Sequence, residues 1–212
     1  MIKIDNINLN KSVNNNIINI LHLSVLNGMF RKRTELIIDI FDELYKEGIQ
    51  NFILNIVIQG NFSKDKTEIF NKPFINLNYE HLSYTEILNL YNNNHISIQI
   101  SKHEGLGLGF YESCYMNTPV ITLNASPHNE IIHHNKNGWL LDCTLEIDDK
   151  PENPFTIIKQ TQVNKITLKN QIKLILSDIK NINNVIKNTK IYTENLNNLE
   201  EFKLRLQNIL EN

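Results

Sequence analysis

Cysteine is nearly absent: the 212 residues hold two, Cys114 and Cys143. Two are too few for a disulfide scaffold, and their spacing matches no zinc site. A reducing compartment, the cytoplasm, fits that usage. Long apolar runs are missing too. The longest, residues 17–26, is broken by Asn19, His22 and Ser24, so it is too short and too polar to cross a bilayer. The first residues, Met1-Ile2-Lys3-Ile4-Asp5-Asn6, lack the apolar core of a signal peptide. No excess of positive charge exists. The formal net charge is −2, which argues against a surface that coats nucleic acid. Seven histidines are scattered without convincing zinc spacing. There is no Walker A loop and no internal repeat.

What the chain does hold is enough length for one large domain with a proper core. Asn stands at about one position in six and Ile is the favoured apolar residue. That bias resembles an AT-rich genome, so the Asn runs at 14–16 and 92–94 read as loops or helix ends. Strands are expected at 18–26, 52–58, 74–77, 95–100, 120–123 and 139–141. Helices are expected at 35–47, 85–91, 107–116, 129–133, 168–182 and 192–209, the last long and amphipathic. Asn117 suits a left-handed helix end, and Pro119 stops continuation. Residues 1–17 read as an N-terminal extension. The pattern is lost from 143 to 167, where Pro151 and Pro154 mark an irregular insertion. The alternation predicts an α/β fold of Rossmann-like, three-layer type: a parallel sheet with helices on both faces.

Glycine is scarce, with seven in all, yet Gly105, Gly107 and Gly109 stand within five residues. A strand runs into this turn and a helix runs out. That geometry cradles a phosphate, because the free N–H groups and the dipole of a helix start favour an anion. Glu104 and Glu112 bracket the turn. A carboxylate one turn into such a helix can accept two hydrogen bonds from a vicinal diol such as a ribose. A dinucleotide fingerprint would need its third glycine where Phe110 stands. A second constellation, Asn27-Gly28-Met29-Phe30-Arg31-Lys32-Arg33, follows the first strand. Three cations at the carboxyl end of a parallel strand suit a diphosphate; the alternative is a solvated basic turn. His103 and His128 flank the same region. Glu130 follows Ser126-Pro127, which looks like a helix cap with proline at the first helical position.

The Glu-x7-Glu spacing of Glu104 and Glu112 resembles the donor-site motif of the retaining GT-B glycosyltransferases, the glycosyl transferases group 1 (family 4-like) enzymes. Ser101, Gly105, Gly107-Leu108, Thr118-Pro119-Val120-Ile121, Glu130-Ile131-Ile132 and Asn137-Gly138-Trp139-Leu140 stand in that family's order. Ile100, Leu106 and Asn117 stand where the family usually has Pro, Phe and Gly. The resemblance implies a single domain over 1–212, equivalent to the donor-binding, carboxy-terminal half of a GT-B enzyme. It implies transfer of a sugar, of hexosyltransferase type, from a UDP-sugar or GDP-sugar with retention, and no metal. By the same resemblance, Glu104 lies near the transferred sugar and Glu112 binds the ribose. The Gly105-Leu106-Gly107-Leu108 backbone, Gly28 and Lys32, with Arg31 or Arg33, hold the phosphates. Asp148-Asp149 resembles the aspartate pair of metal-dependent transferases, which GT-B enzymes do not use. The acceptor site belongs to the other half. The chain is therefore expected to act with an N-terminal GT-B partner or as a homodimer, to be a truncated transferase inactive without a partner, or to be a non-catalytic nucleotide- or nucleotide-sugar-binding protein.

Overall fold

Strand β1 (Ile18–Val25) shows no strict alternation, and Ile18, Ile20 and Leu21 are buried along with His22 and Ser24, the mark of a strand covered on both faces. It lies at the centre of a six-stranded parallel sheet of order β3-β2-β1-β4-β5-β6. The other strands are β2 (Phe52–Gln59), β3 (Ile75–Asn78), β4 (Ile96–Ile98), β5 (Val120–Leu123) and β6 (Gly138–Leu141). The structure is a computed structural model, and it describes residues 10–25, 28–59, 68–147 and 159–196. Between the strands run α1 (Met29–Lys32), α2 (Thr34–Lys46), α3 (Tyr84–Asn93), α4 (Leu108–Tyr115) and α5 (His128–Ile131). Two longer helices follow, α6 (Lys165–Ser177) and α7 (Ile179–Leu196).

Burial explains the layers. Ile37, Ile40, Phe41 and Leu44 of α2 pack on the sheet with Phe52, Leu54 and Phe74. Leu88 and Tyr91 of α3 cover Leu21 and Val57 from the other face. The alternation expected over 95–100 has no exposed face to serve: Ser97 in β4 and Gln99 just after it are buried along with the isoleucines beside them. Their polar atoms are paired. Ser97 Oγ lies 2.8 Å from Ser113 Oγ, and Gln99 Nε2 donates to Gly109 O at 3.0 Å. Asn117 has the left-handed conformation (φ 56°) expected after α4.

The described part of the N-terminal extension, residues 10–17, packs against the domain. Lys11 and Val13 are buried. Lys11 Nζ donates to Tyr91 O at 3.0 Å and Met116 O at 3.1 Å. These carbonyls end α3 and α4, where the helix dipoles favour a cation. Burial lowers the Lys11 pKa to about 7.

Three expectations are corrected. The stretch 143–167 is not wholly irregular: β7 (Thr144–Ile147) and β8 (Lys159–Gln162) form an antiparallel pair. Both are four residues long and β7 is exposed throughout, so neither carries a burial pattern. The helix expected over 168–182 is divided at Asp178, whose carboxylate accepts from Asn181 N at 2.9 Å and starts α7. Pro127 is the N-cap of α5, not its first residue, and no side chain caps that helix. The final helix expected at 192–209 falls mostly beyond Leu196, and Asp148-Asp149 within 148–158; both lie outside the described residues.

Gly138 shows how tightly the sheet is closed on the β5–β6 side. A Cβ there would lie 2.1 Å from Val120 O and 2.7 Å from Ile132 Cγ2. The first obstacle is strand backbone, which cannot swing aside. Gly138→Ala is therefore expected to destabilise the fold by about 1–3 kcal/mol, the usual range for overpacking. A denaturant titration checks this; an unchanged midpoint would contradict the close approach.

Candidate functional site

The chain moves one way across the sheet after β1 and the other way after β4, so the exits of these neighbours diverge and leave a crevice. Open parallel sheets bind ligands at such a switch point, beyond the carboxyl ends of the strands. The β1 exit contributes Gly28 and α1; the β4 exit contributes residues 99–107. The exits are tied together. Lys102 N donates to Arg31 O at 2.8 Å. Arg31 Nη1 donates to His103 O at 3.2 Å and to Glu104 Oε1 at 3.1 Å. Lys32 Nζ donates to the same Glu104 oxygen at 2.5 Å.

Glu104 is the centre of this cluster. Its side chain is 13% exposed, against 20% for Lys32 and 33% for Arg31. Burial alone would raise its pKa. The Lys32 hydrogen bond and the Lys32 and Arg31 charges outweigh burial and hold it below the ordinary carboxylate value.

Helix α4 begins at the same edge. Gly107 is its N-cap, in the left-handed conformation (φ 62°), and no side chain caps it. The first N–H groups thus remain the only anion-directed feature of that turn. Leu106 and Leu108 flank it and are 77% and 62% exposed. Glu112 follows one turn on, half-buried. Burial raises its pKa, and a hydrogen bond from the Tyr84 hydroxyl together with the charge of Lys32 opposes that rise.

The structure brings Gly28, Arg31, Lys32, Glu104, the Gly105–Leu108 turn and Glu112 to one edge of the sheet. Arg33 is turned elsewhere, which corrects its expected place beside the phosphates. It is 7% exposed and donates to Ile100 O at 2.7 Å and to Thr161 Oγ1 at 2.9 Å. Residue 33 ends α1 in the left-handed conformation (φ 55°), which swings its side chain off the line of Arg31 and Lys32. His128 is buried beneath α4, its ring 5.1 Å from Phe110. Thr122 Oγ1 donates its proton to Gln99 O at 2.7 Å, so it accepts from His128 Nδ1 at 2.8 Å. Burial lowers the His128 pKa to about 4 and keeps the ring neutral. Among the described residues no group of His, Cys, Asp and Glu is placed to hold a metal ion.

Tyr84 and Thr161 were not legible as site residues. For Tyr84 the available signal was Ser83-Tyr84-Thr85-Glu86. This is a capping box, observed with both reciprocal bonds, that fixes where α3 begins. For Thr161 there was none.

The family described as glycosyl transferases group 1 matches residues 9–153. The chain belongs to that family. Solved structures agree on the fold. The C-terminal domain of the glycosyl transferase group 1 family protein LpcC from Francisella tularensis is 17% identical. It superposes with a TM-score of 0.58, covering 82% of each chain. HepE from Anabaena, in complex with UDP, is 14% identical with a TM-score of 0.64, over 92% of this chain and 49% of that one. TarM from S. aureus, in complex with fondaparinux, alpha-GlcNAc-glycerol and UDP, is 15% identical with a TM-score of 0.61. That match covers 82% of this chain and 31% of TarM. Among proteins of curated function, none matches the sequence significantly. The Rossmann-like sheet is thus that of a GT-B glycosyltransferase C-terminal domain, and the chain spans less than half the length of HepE and TarM.

In this group 1 chain the two glycines of the turn have opposite demands. A Cβ on Gly105 would meet nothing within 4 Å, whereas one on Gly107 would lie 2.6 Å from Phe110 Cδ2 at a φ of +62°. Gly105→Ala is expected to be nearly neutral. Gly107→Ala is expected to cost about 1–3 kcal/mol through left-handed strain and crowding. Thermal unfolding of the two variants side by side measures the contrast; equal losses would contradict it.

Proposed function

We propose that this chain is the donor-binding half of a retaining glycosyltransferase that takes a hexose from UDP-sugar or GDP-sugar. The observation that carries the reading is the convergence of Arg31 and Lys32 with the side-chain-free N-terminus of α4 at the β1–β4 switch point. Cations and an uncapped helix start aimed at one place suit a diphosphate. Family membership supplies the reaction class, and the UDP in the HepE and TarM structures supports a nucleoside-diphosphate ligand in a fold of this kind.

In this reading Lys32, Arg31 and the Gly105–Leu108 backbone stabilise the diphosphate as it departs. That matters because the leaving group gains charge in the transition state, where fixed dipoles and cations act without reorganising. Glu112, held by Tyr84, receives the ribose hydroxyls. Glu104 stands beside the transferred sugar and keeps both cations in register. No metal is assigned a role, and the proposed setting is cytoplasmic.

The second half of the active site, with the acceptor, is proposed to come from an N-terminal GT-B-type domain or from a second copy. Phe30 on the β1 exit and Leu106, Leu108 and Tyr111 at the start of α4 support this, since all four are large apolar residues left exposed. Apolar patches of that kind mark surfaces meant to be covered.

Calorimetry with UDP, GDP and the free nucleosides tests the reading. Lys32→Ala should weaken binding of the preferred diphosphate by roughly tenfold or more, the loss of one charged hydrogen bond. Nucleoside affinity should hardly change. Equal losses for diphosphate and nucleoside, or no binding of either diphosphate to the wild type, would overturn it.

A further inference from the structure

The segment that carries Glu104 has no regular structure of its own, yet every backbone carbonyl leading to it is held. Ile100 O accepts from the Arg33 guanidinium at 2.7 Å. Ser101 O accepts from the Thr161 hydroxyl at 3.0 Å. Lys102 O accepts from the Thr161 backbone N–H at 2.7 Å. His103 O accepts from Arg31 at 3.2 Å. Two of these four donors belong to Thr161 on β8. A third, Arg33, also donates to the Thr161 hydroxyl and carbonyl oxygens.

Three features make this more than incidental packing. Strand β8 is not part of the parallel sheet, and it lies beyond the residues that the family matches. Arg33 is a buried cation whose hydrogen bonds go to carbonyl and hydroxyl oxygens, not to a carboxylate. It also adopts a left-handed backbone that L side chains avoid. A segment without ladder hydrogen bonds ordinarily opens easily, whereas this one is fixed on both sides.

We propose that Arg33 and Thr161 are positioning residues that hold the backbone of residues 100–103 so that Glu104 meets Lys32 and Arg31. By this account the β7–β8 pair is part of the donor site through Thr161, which holds the backbone of Ser101 and Lys102. The inference rests on the donor-site reading above.

The test uses the full chain, with the Glu104 carboxyl followed by carbon-detected NMR through a pH titration. Releasing residues 100–103 separates Glu104 from Lys32 and Arg31. The pairing that lowers its midpoint is lost while burial, which raises it, is not. Thr161→Val is therefore expected to move the Glu104 midpoint upward, and to weaken binding of UDP or GDP, whichever the wild type prefers, by about tenfold. Thr161→Ser should restore both. Thr189→Val removes another buried hydroxyl, one that donates to Val185 O at 2.8 Å within α7. It should lower thermal stability without moving Glu104. A Glu104 midpoint unmoved by Thr161→Val, or moved equally by Thr189→Val, would overturn the inference. So would failure of Thr161→Ser to restore a lost midpoint. If neither diphosphate binds the wild type, the donor-site reading falls, while the Glu104 midpoint still decides the positioning role.

Discussion

A half-buried carboxylate in an irregular loop is costly, because burial disfavours the charged form and loop backbone must find its own hydrogen bonds. Glu104 is such a group, and the edge of the domain is organised around it. Lys32 and Arg31 neutralise it from the β1 exit. The carbonyls before it are bonded from α1 and β8. Because those bonds hold the loop still, Gly107 can turn the chain into α4 and present the helix start beside the two cations. The same few residues close the crevice from both sides.

The sheet order makes this closure possible. With β1 and β4 adjacent and their connections departing in opposite directions, the loops after them meet without competing for space. Buried polar residues of β4 and its exit extend the arrangement inward. Gln99 holds the carbonyl of Gly109 in the first turn of α4, and Ser97 reaches Ser113 on the same helix. Strand, loop and helix are therefore hydrogen-bonded to one another. The lysine at position 11 adds a distant brace where α3 and α4 end.

Much of the parallel core was legible because isoleucine and leucine runs between polar breaks are hard to place anywhere but in buried strands. β5 was read to the residue, and β1 and α2 to within one. The Glu104–Glu112 spacing was legible through its resemblance to the family's Glu-x7-Glu motif; of the two carboxylates only Glu112 lies on α4. The β7–β8 pair was not legible, since β7 is exposed throughout and β8 buries a single threonine, too little to leave a hydrophobic alternation. Arg33 was misplaced for a related reason. A run of three cations looks the same in sequence whether each faces solvent or one turns inward. What turns Arg33 inward is its left-handed backbone and a partner 128 residues further along. Asp178 was overlooked because its neighbours continue the apolar period of α6, and only its capping bond to Asn181 ends one helix and begins the next.

The most direct measurement of the account is an amide shift map of the isotopically labelled chain during titration with UDP and with GDP. The account predicts that one of them shifts the amides of Gly28, Arg31, Lys32, Gly107, Leu108, Gly109 and Glu112 with a common saturation curve. Silence at those amides with both nucleotides would contradict it. So would shifts confined to the separate pocket lined by His134, Trp139, Ile175 and Asn181 on the far side of β6.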